Sequence, residues 1–145
     1  MKLKGRLWKD GKMWLIEVPM LDALTQGRTK KEAFEMMGDL VETMADKPGF
    51  KVIICQGKGR EFELDSNHTA SLISLILRRQ RQKSGLSLSD IAARLGVSSR
   101  NAYARYEQGH SVPSVEKLDA LMKAVSPDRD LVLGQSVAEP EAPYE

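Results

Sequence analysis

The sequence predicts an α+β protein: a small N-terminal β-sheet with a covering helix, then an all-α helical domain. Three observations predict it. Strand-like and helix-like apolar patterns alternate through the first 65 residues, and only helical patterns run from residue 71 to 125. Between them lies a polar stretch, Asp65-Ser66-Asn67-His68-Thr69-Ala70, which reads as a linker or a cap. The expected division is 1–65 for an α/β domain, 66–126 for the helical domain, and 127–145 for an acidic, Pro-containing tail.

The first strand is marked by Leu3, Gly5, Leu7 and Lys9 at period 2, with Trp8 on the other face. Asp10-Gly11 is a two-residue turn signal, and Met13-Trp14-Leu15-Ile16-Glu17-Val18 is a second apolar strand, so the two form a hairpin. Residues 19–28 read as a loop. Thr29-Lys30-Lys31-Glu32 is a capping box that opens a helix, with Ala33, Phe34, Met37, Leu40, Val41 and Met44 at helical spacing. Lys47-Pro48-Gly49 stops it. Lys51-Val52-Ile53-Ile54-Cys55 is a third strand and Glu61-Phe62-Glu63-Leu64 a candidate fourth.

The helical domain opens with a helix over residues 71–83, striped by Leu72, Ile73, Ile76 and Leu77, and Gly85 closes it. A second helix begins at Leu88 with Ser87 as cap, burying Leu88, Ile91, Ala92 and Leu95, until Gly96 breaks it in the left-handed conformation. A third starts after Ser98 or Ser99, turns Ala102 and Tyr106 inward, and ends at Gly109. Pro113-Ser114 starts a fourth, carrying Val115, Leu118, Leu121, Met122 and Val125. The tail after Ser126 is expected to be mostly disordered, with Leu131-Val132-Leu133 as a candidate short strand.

Composition limits the function classes. Net charge is only +2, yet residues 71–125 hold nine Lys/Arg against four acids, while the tail from Ser126 holds one against five. Positive charge therefore sits on the helical segment, as neutralising phosphates requires. Aromatic content of 6% limits the core either half can bury, so partner surfaces are expected to add stability. The single cysteine, Cys55, forms no intramolecular disulfide and no metal cluster, and its apolar strand marks it as a buried filler. No signal peptide precedes Lys2 and no apolar run reaches the ~18 residues of a membrane span, so a cytoplasmic protein without a membrane partner is expected.

Two short amphipathic helices joined by a tight Gly turn, with polar and basic residues at the start of the second, form a helix-turn-helix for the DNA major groove. With Ala102 as the inward reference, Arg100 and Ala104 point most directly outward, flanked by Asn101 and Tyr103. Arg pairs bidentately with guanine and Asn with adenine, while a small Ala104 permits close approach or touches a thymine methyl. Ser87, Ser89, Ser98 and Ser99, at two helix starts, would hold phosphates. Arg78, Arg79, Arg81, Arg94 and Arg105 are expected to supply phosphate charge. The competing reading is a solvated helical domain with surface arginines.

The Gly85-Leu86-Ser87 start, the Leu95-Gly96-Val97 turn and the Glu107-Gln108-Gly109 end resemble the repressor-type helix-turn-helix family over residues 72–125. Two departures stand out. Gln80 occupies a position that is usually apolar in that family, and one extra residue lies between Val97 and Glu107. A second resemblance covers the N-terminal half: the aromatic hairpin, Val18-Pro19, the loop ending Thr25-Gln26-Gly27, and the helix opening Thr29-Lys30-Lys31-Glu32-Ala33. These, followed by Ser99-Arg100-Asn101-Ala102-Tyr103-Ala104-Arg105-Tyr106-Glu107, are similar to the HicB antitoxin family. Met20-Leu21-Asp22-Ala23 departs from that family's usual loop.

The HicB resemblance implies a partial ribonuclease-H-like sheet and an antitoxin that binds a small, basic, RNA-cleaving HicA-type toxin. It also implies repression of the protein's own operon. Trp8 and Trp14 could anchor the toxin interface, with acids such as Glu17, Asp22, Asp39 and Glu42 complementing a basic partner. Trp8 and Trp14 are both even-numbered, which suggests related faces of the hairpin, and ordinary core or cover roles fit them equally. Helix-turn-helix domains of this kind usually bind as dimers, so a homodimer or higher oligomer on an inverted-repeat operator is expected. The acids Asp10, Glu17, Asp22, Asp39 and Glu42 show no spacing that converges on metal ions, and His68 and His110 are isolated. Neither catalysis nor a cofactor is expected. The alternative is a stand-alone repressor whose N-terminal domain dimerises or senses a ligand. A metal-dependent nuclease is the third class.

Overall fold

Leu3, Gly5 and Leu7 turn to one side of β1 (Leu3–Asp10), and Ile16 and Val18 of β2 (Met13–Val18) meet them there. The computed structural model describes residues 1–137 and divides into two compact units, Met1–Leu72 and Ile73–Val137.

In the first unit the hairpin register pairs Asp10 with Met13, so Gly11 and Lys12 form the two-residue turn rather than Asp10-Gly11. Gly11 takes φ +61°, which suits the first turn position of a hairpin whose connection must follow strand twist. The expected loop over 19–28 is instead a 3-10 turn, Pro19–Leu21, followed by a strand, β3 (Ala23–Gly27), paired antiparallel with β2. Leu24, Gln26 and the glycine kept this strand from resembling one, since its polar and apolar positions do not alternate cleanly. Strands β4 (Val52–Gln56) and β5 (Glu61–Ser66) complete a five-stranded sheet in the order β3-β2-β1-β5-β4, with every neighbouring pair antiparallel.

Helix α1 (Lys30–Ala45) covers one face of that sheet, burying Ala33, Phe34, Met37 and Val41. Its start is fixed by Thr29, whose Oγ1 accepts from the Glu32 N–H at 3.0 Å, and Asp46 ends it in the left-handed region at φ +46°. Phe62 lies under this helix, its ring edge-on to Phe34 with centroids 5.4 Å apart. Gly5 stands opposite Phe62 in the register, and a Cβ there would fall 2.1 Å from the ring. Glycine is therefore a packing requirement at that position. Cys55 faces the other side of the sheet and is half-buried rather than a core filler, because pairing Cys55 with Glu63 puts both on the face away from α1.

The expected linker is ordered. Asp65 and Ser66 belong to β5, and α2 (Thr69–Lys83) begins two residues earlier than the apolar stripe suggested. His68 Nδ1 accepts from the Ser71 N–H at 3.2 Å and lies 2.7 Å from the Ser71 hydroxyl, so a histidine caps the helix start.

The second unit contains α3 (Leu88–Leu95), α4 (Arg100–Glu107) and α5 (Val115–Val125), with α3 packed against both others. Ile91, Ala92, Tyr103, Leu121, Met122 and Val125 are buried; Leu88 and Leu95 are only half-buried. Ser114 caps α5 through the Lys117 N–H. Val115, expected inside, is 80% exposed, because the first turn of α5 precedes its buried stretch. Leu131-Val132-Leu133 form no strand; Val132 and Leu133 stand exposed without a pairing strand. The rest of the expected tail, residues 138–145, lies outside the described residues.

Candidate nucleic-acid interface

Ser87 and Asp90 cap each other at the start of α3: the Asp90 N–H donates to Ser87 Oγ at 3.0 Å, and the Ser87 N–H donates to the Asp90 carboxylate at 2.8 Å. The Ser87 N–H foremost, and the Ser87 side chain second, hold the Asp90 carboxyl below its ordinary range, with Arg94 adding a smaller electrostatic contribution. Gly96 then ends the helix at φ +71°. A Cβ there would meet nothing within 4 Å, so the handedness of the backbone, not crowding, calls for glycine. Val97 N–H returns to the Ala92 carbonyl at 3.0 Å, tightening the turn that leads to Ser99. Ser99 caps α4, its Oγ accepting from the Asn101 N–H at 3.1 Å.

The face that α4 turns inward differs from the expected one. Tyr103 is 1% exposed and Ala104 6% exposed, with Glu107 buried one turn on, while Ala102 is exposed and Tyr106 half-buried. Tyr103 and Ala104 are therefore core residues and cannot touch bases, and Ala102 is not the inward reference. With positions 103, 104 and 107 inside, a period of 3.6 residues turns Ala102 and Arg105 most directly outward, flanked by Asn101. Arg100 remains exposed as the first residue of the helix. The sequence misled because alanines at both 102 and 104 allow either phase, and a buried glutamate weighs against the correct one.

What permits that buried glutamate is Arg81 of α2. Its Nε donates to Glu107 Oε2 at 2.7 Å, its Nη2 to Oε1 at 3.0 Å, and its Nη1 to the Leu86 carbonyl at 3.0 Å. The side chains are 16% and 6% exposed. The Glu107 bond raises the Arg81 pKa further, burial opposing it only in part. Arg81 was expected to hold phosphate, but its fork–fork pair with Glu107 and its bond to the Leu86 carbonyl engage all three guanidinium nitrogens within the protein. It fixes the C-terminal end of α4 instead. The Tyr103 hydroxyl is buried beside the same carboxylate without a well-formed hydrogen bond, and burial, with that negative charge, drives its pKa well above the ordinary phenol value.

The structure thus brings Ser98, Ser99, Asn101 and Arg105 together on the exposed side of one helix and its lead-in, adds Ala102, which sequence reasoning placed inside, and leaves Arg100 exposed at the helix tip, one turn before Tyr103 and Ala104. Ser87 and Ser89 are exposed at the start of α3. Arg94 reaches toward the Ala124 carbonyl at 3.5 Å.

The residues expected at a protein interface separate. The hairpin register pairs Trp8 with Leu15 and Lys9 with Trp14. Residues of equal parity on the two strands therefore point to opposite faces, and Trp8 and Trp14 do not share one. Trp14 lies on the helix-covered side beneath Lys9 and Lys30, with their ammonium nitrogens 5.9 and 5.1 Å from its ring centroid. Trp8 lies on the other side under Arg6, whose guanidinium is 5.4 Å from its centroid and pairs with Glu17 at 2.7 Å. Asp22 is exposed after the 3-10 turn in the left-handed region, φ +48°.

Comparison with known families matches residues 74–133 to the family described as Helix-turn-helix domain. No curated protein matches the chain. The match spans α3, the Gly96 turn and α4, and with the exposed α4 surface it supports a DNA-binding helix-turn-helix domain. Among the described residues no helix is long and apolar enough to cross a membrane.

Proposed function

We propose that the chain is a sequence-specific DNA-binding autorepressor and the antitoxin of a HicA-type toxin. The observation that carries the DNA-binding part is the outward face of α4: Asn101, Ala102 and Arg105 are exposed there, with Arg100 exposed at the helix tip, on a helix whose inner face is locked by Tyr103, Ala104 and Glu107. Arg and Asn supply the guanine and adenine pairings, and Ala102 is small enough to let the helix approach the groove floor. Ser98 and Ser99, with the first amides of α4, suit the flanking phosphates. Two copies on an inverted repeat would double the few base pairs one such helix can read.

The antitoxin part rests on the resemblance of the N-terminal half to HicB. The toxin-facing side we assign is the one that carries Trp8, Leu15 and Glu17, with Asp22 nearby in sequence, since Trp14 is ringed by lysines that would repel a basic partner. The chain acts by binding, without a cofactor. The confinement of the family match to residues 74–133 favours one other reading, a stand-alone repressor. Co-expression with the adjacent reading frame separates the two: the antitoxin rescues growth and co-purifies with the neighbouring product, whereas the stand-alone repressor does neither.

A further inference from the structure

We infer that the Trp14 end of the sheet unit is a second cationic surface, which grips the phosphodiester backbone of duplex DNA. This rests on the DNA-binding reading of α4 and adds a contact outside the helix-turn-helix. The register brings three segments together here. Lys9 pairs with Trp14, Trp14 pairs with Gly27, Lys12 lies in the adjoining turn, Arg28 follows Gly27, and Lys30 and Lys31 open α1. Lys9 and Lys30 both reach over the Trp14 ring, which orders two ammonium groups around one indole. All five cations are exposed, and among the described residues none of them forms an ion pair. Asp10 and Glu32 are the acids within the same segments, which leaves a cationic excess.

A cation–π contact positions an ammonium group without neutralising it, so the five charges still repel one another. Two of them also stand in the first turn of a 16-residue helix, where the helix dipole disfavours cations. The isolated domain gains only the two cation–π contacts against these penalties; a polyanion laid across it relieves both. Duplex DNA is the occupant that the rest of the chain supplies. A helix-turn-helix bound to DNA keeps phosphates at high local concentration around everything tethered to it. The same charge turns away a basic protein.

The test uses the full chain. In Lys9→Gln/Lys12→Gln/Arg28→Gln/Lys30→Gln/Lys31→Gln, binding of a mixed-sequence duplex of about 30 bp is measured from roughly 50 to 200 mM salt. The salt slope should become shallower by about 2–3 and affinity at the lower salt should drop at least about tenfold. Lys30→Glu/Lys31→Glu guards against unfolding: it should raise thermal stability by complementing the α1 dipole while weakening DNA binding. In a Trp8→Phe background, where Trp14 is the sole indole, adding the duplex should change Trp14 emission. If the wild type binds the duplex but the five-fold variant keeps its affinity and slope, the second surface is overturned and the α4 reading stands. If the wild type fails to bind any duplex, the α4 reading falls and takes this one with it. Binding of poly-glutamate in preference to the duplex would also overturn it.

Discussion

Glu107→Ala tests how α4 is held. The substitution removes the acceptor of two Arg81 hydrogen bonds, at 2.7 and 3.0 Å, and leaves the guanidinium with the Leu86 carbonyl as its remaining described partner. Breaking a buried pair by deleting one partner costs roughly 3–5 kcal/mol, because the other charge is left uncompensated. Arg81 keeps 16% side-chain exposure, so water can partly re-solvate it, and the lower end, about 3 kcal/mol, is expected. For a domain of this size that corresponds to a fall in Tm of very roughly 12–24 °C. Trp8 and Trp14 both lie in the first unit. Urea unfolding followed by tryptophan emission therefore reports that unit, while the helical signal at 222 nm includes the second. Glu107→Ala should move the helical transition and leave the tryptophan transition in place. Arg81→Met/Glu107→Met should recover most of the loss, since apolar replacement of a buried pair is often neutral. A single-variant loss under about 0.5 kcal/mol, or a double variant whose loss is the sum of the two singles, would refute the clamp.

Four further outcomes follow from the same geometry. Ala102→Glu should leave the fold intact and abolish specific DNA binding, whereas Ala104→Glu should unfold the second unit; the reverse pattern in circular dichroism would restore the opposite helix phase. Arg105→Ala should weaken binding of a selected DNA site by about 1–3 kcal/mol in gel-shift titration, and unchanged affinity would remove it from the interface. Gly96→Ala should destabilise the helical unit by about 1–2 kcal/mol from left-handed strain alone, since space is open there; a larger thermal loss would reveal an unrecognised contact. Asp90 has a lowered pKa in the folded state, so its contribution is present above the ordinary value of 3.8 and lost as pH falls from there through the folded value. Acid titration of Asp90→Asn should therefore lack that part of the wild-type decline; identical curves would dismiss the capping box as a pH-linked element.

Elements with local punctuation were legible in the sequence. Thr29, Ser87, Ser99 and Ser114 each cap the helix they were expected to start, and Gly96 ends α3 left-handed. Features fixed by tertiary pairing were not. Strand β3 is short, carries no clean alternation, and exists because β2 offers it an edge. The opposite facing of Trp8 and Trp14 follows from any two-residue hairpin turn, whether at 10–11 or at 11–12, because residues paired across it differ in parity; matching the two tryptophans by even number overlooked this. The phase of α4 depends on Arg81, placed 26 residues upstream of the glutamate it buries. One signal in the sequence did carry it: Tyr103, Ala104 and Glu107 fall at the i, i+1, i+4 spacing of one helix face. Their burial makes sense only once an arginine is supplied as partner.

Selection from a pool of random duplexes, run in parallel with the wild type and Ala102→Glu, examines most directly whether the exposed side of α4 reads sequence. The wild type should enrich one motif, arranged as an inverted repeat, and the variant should enrich none. Recovery of the same motif by both proteins, or of no motif by the wild type, would contradict the account.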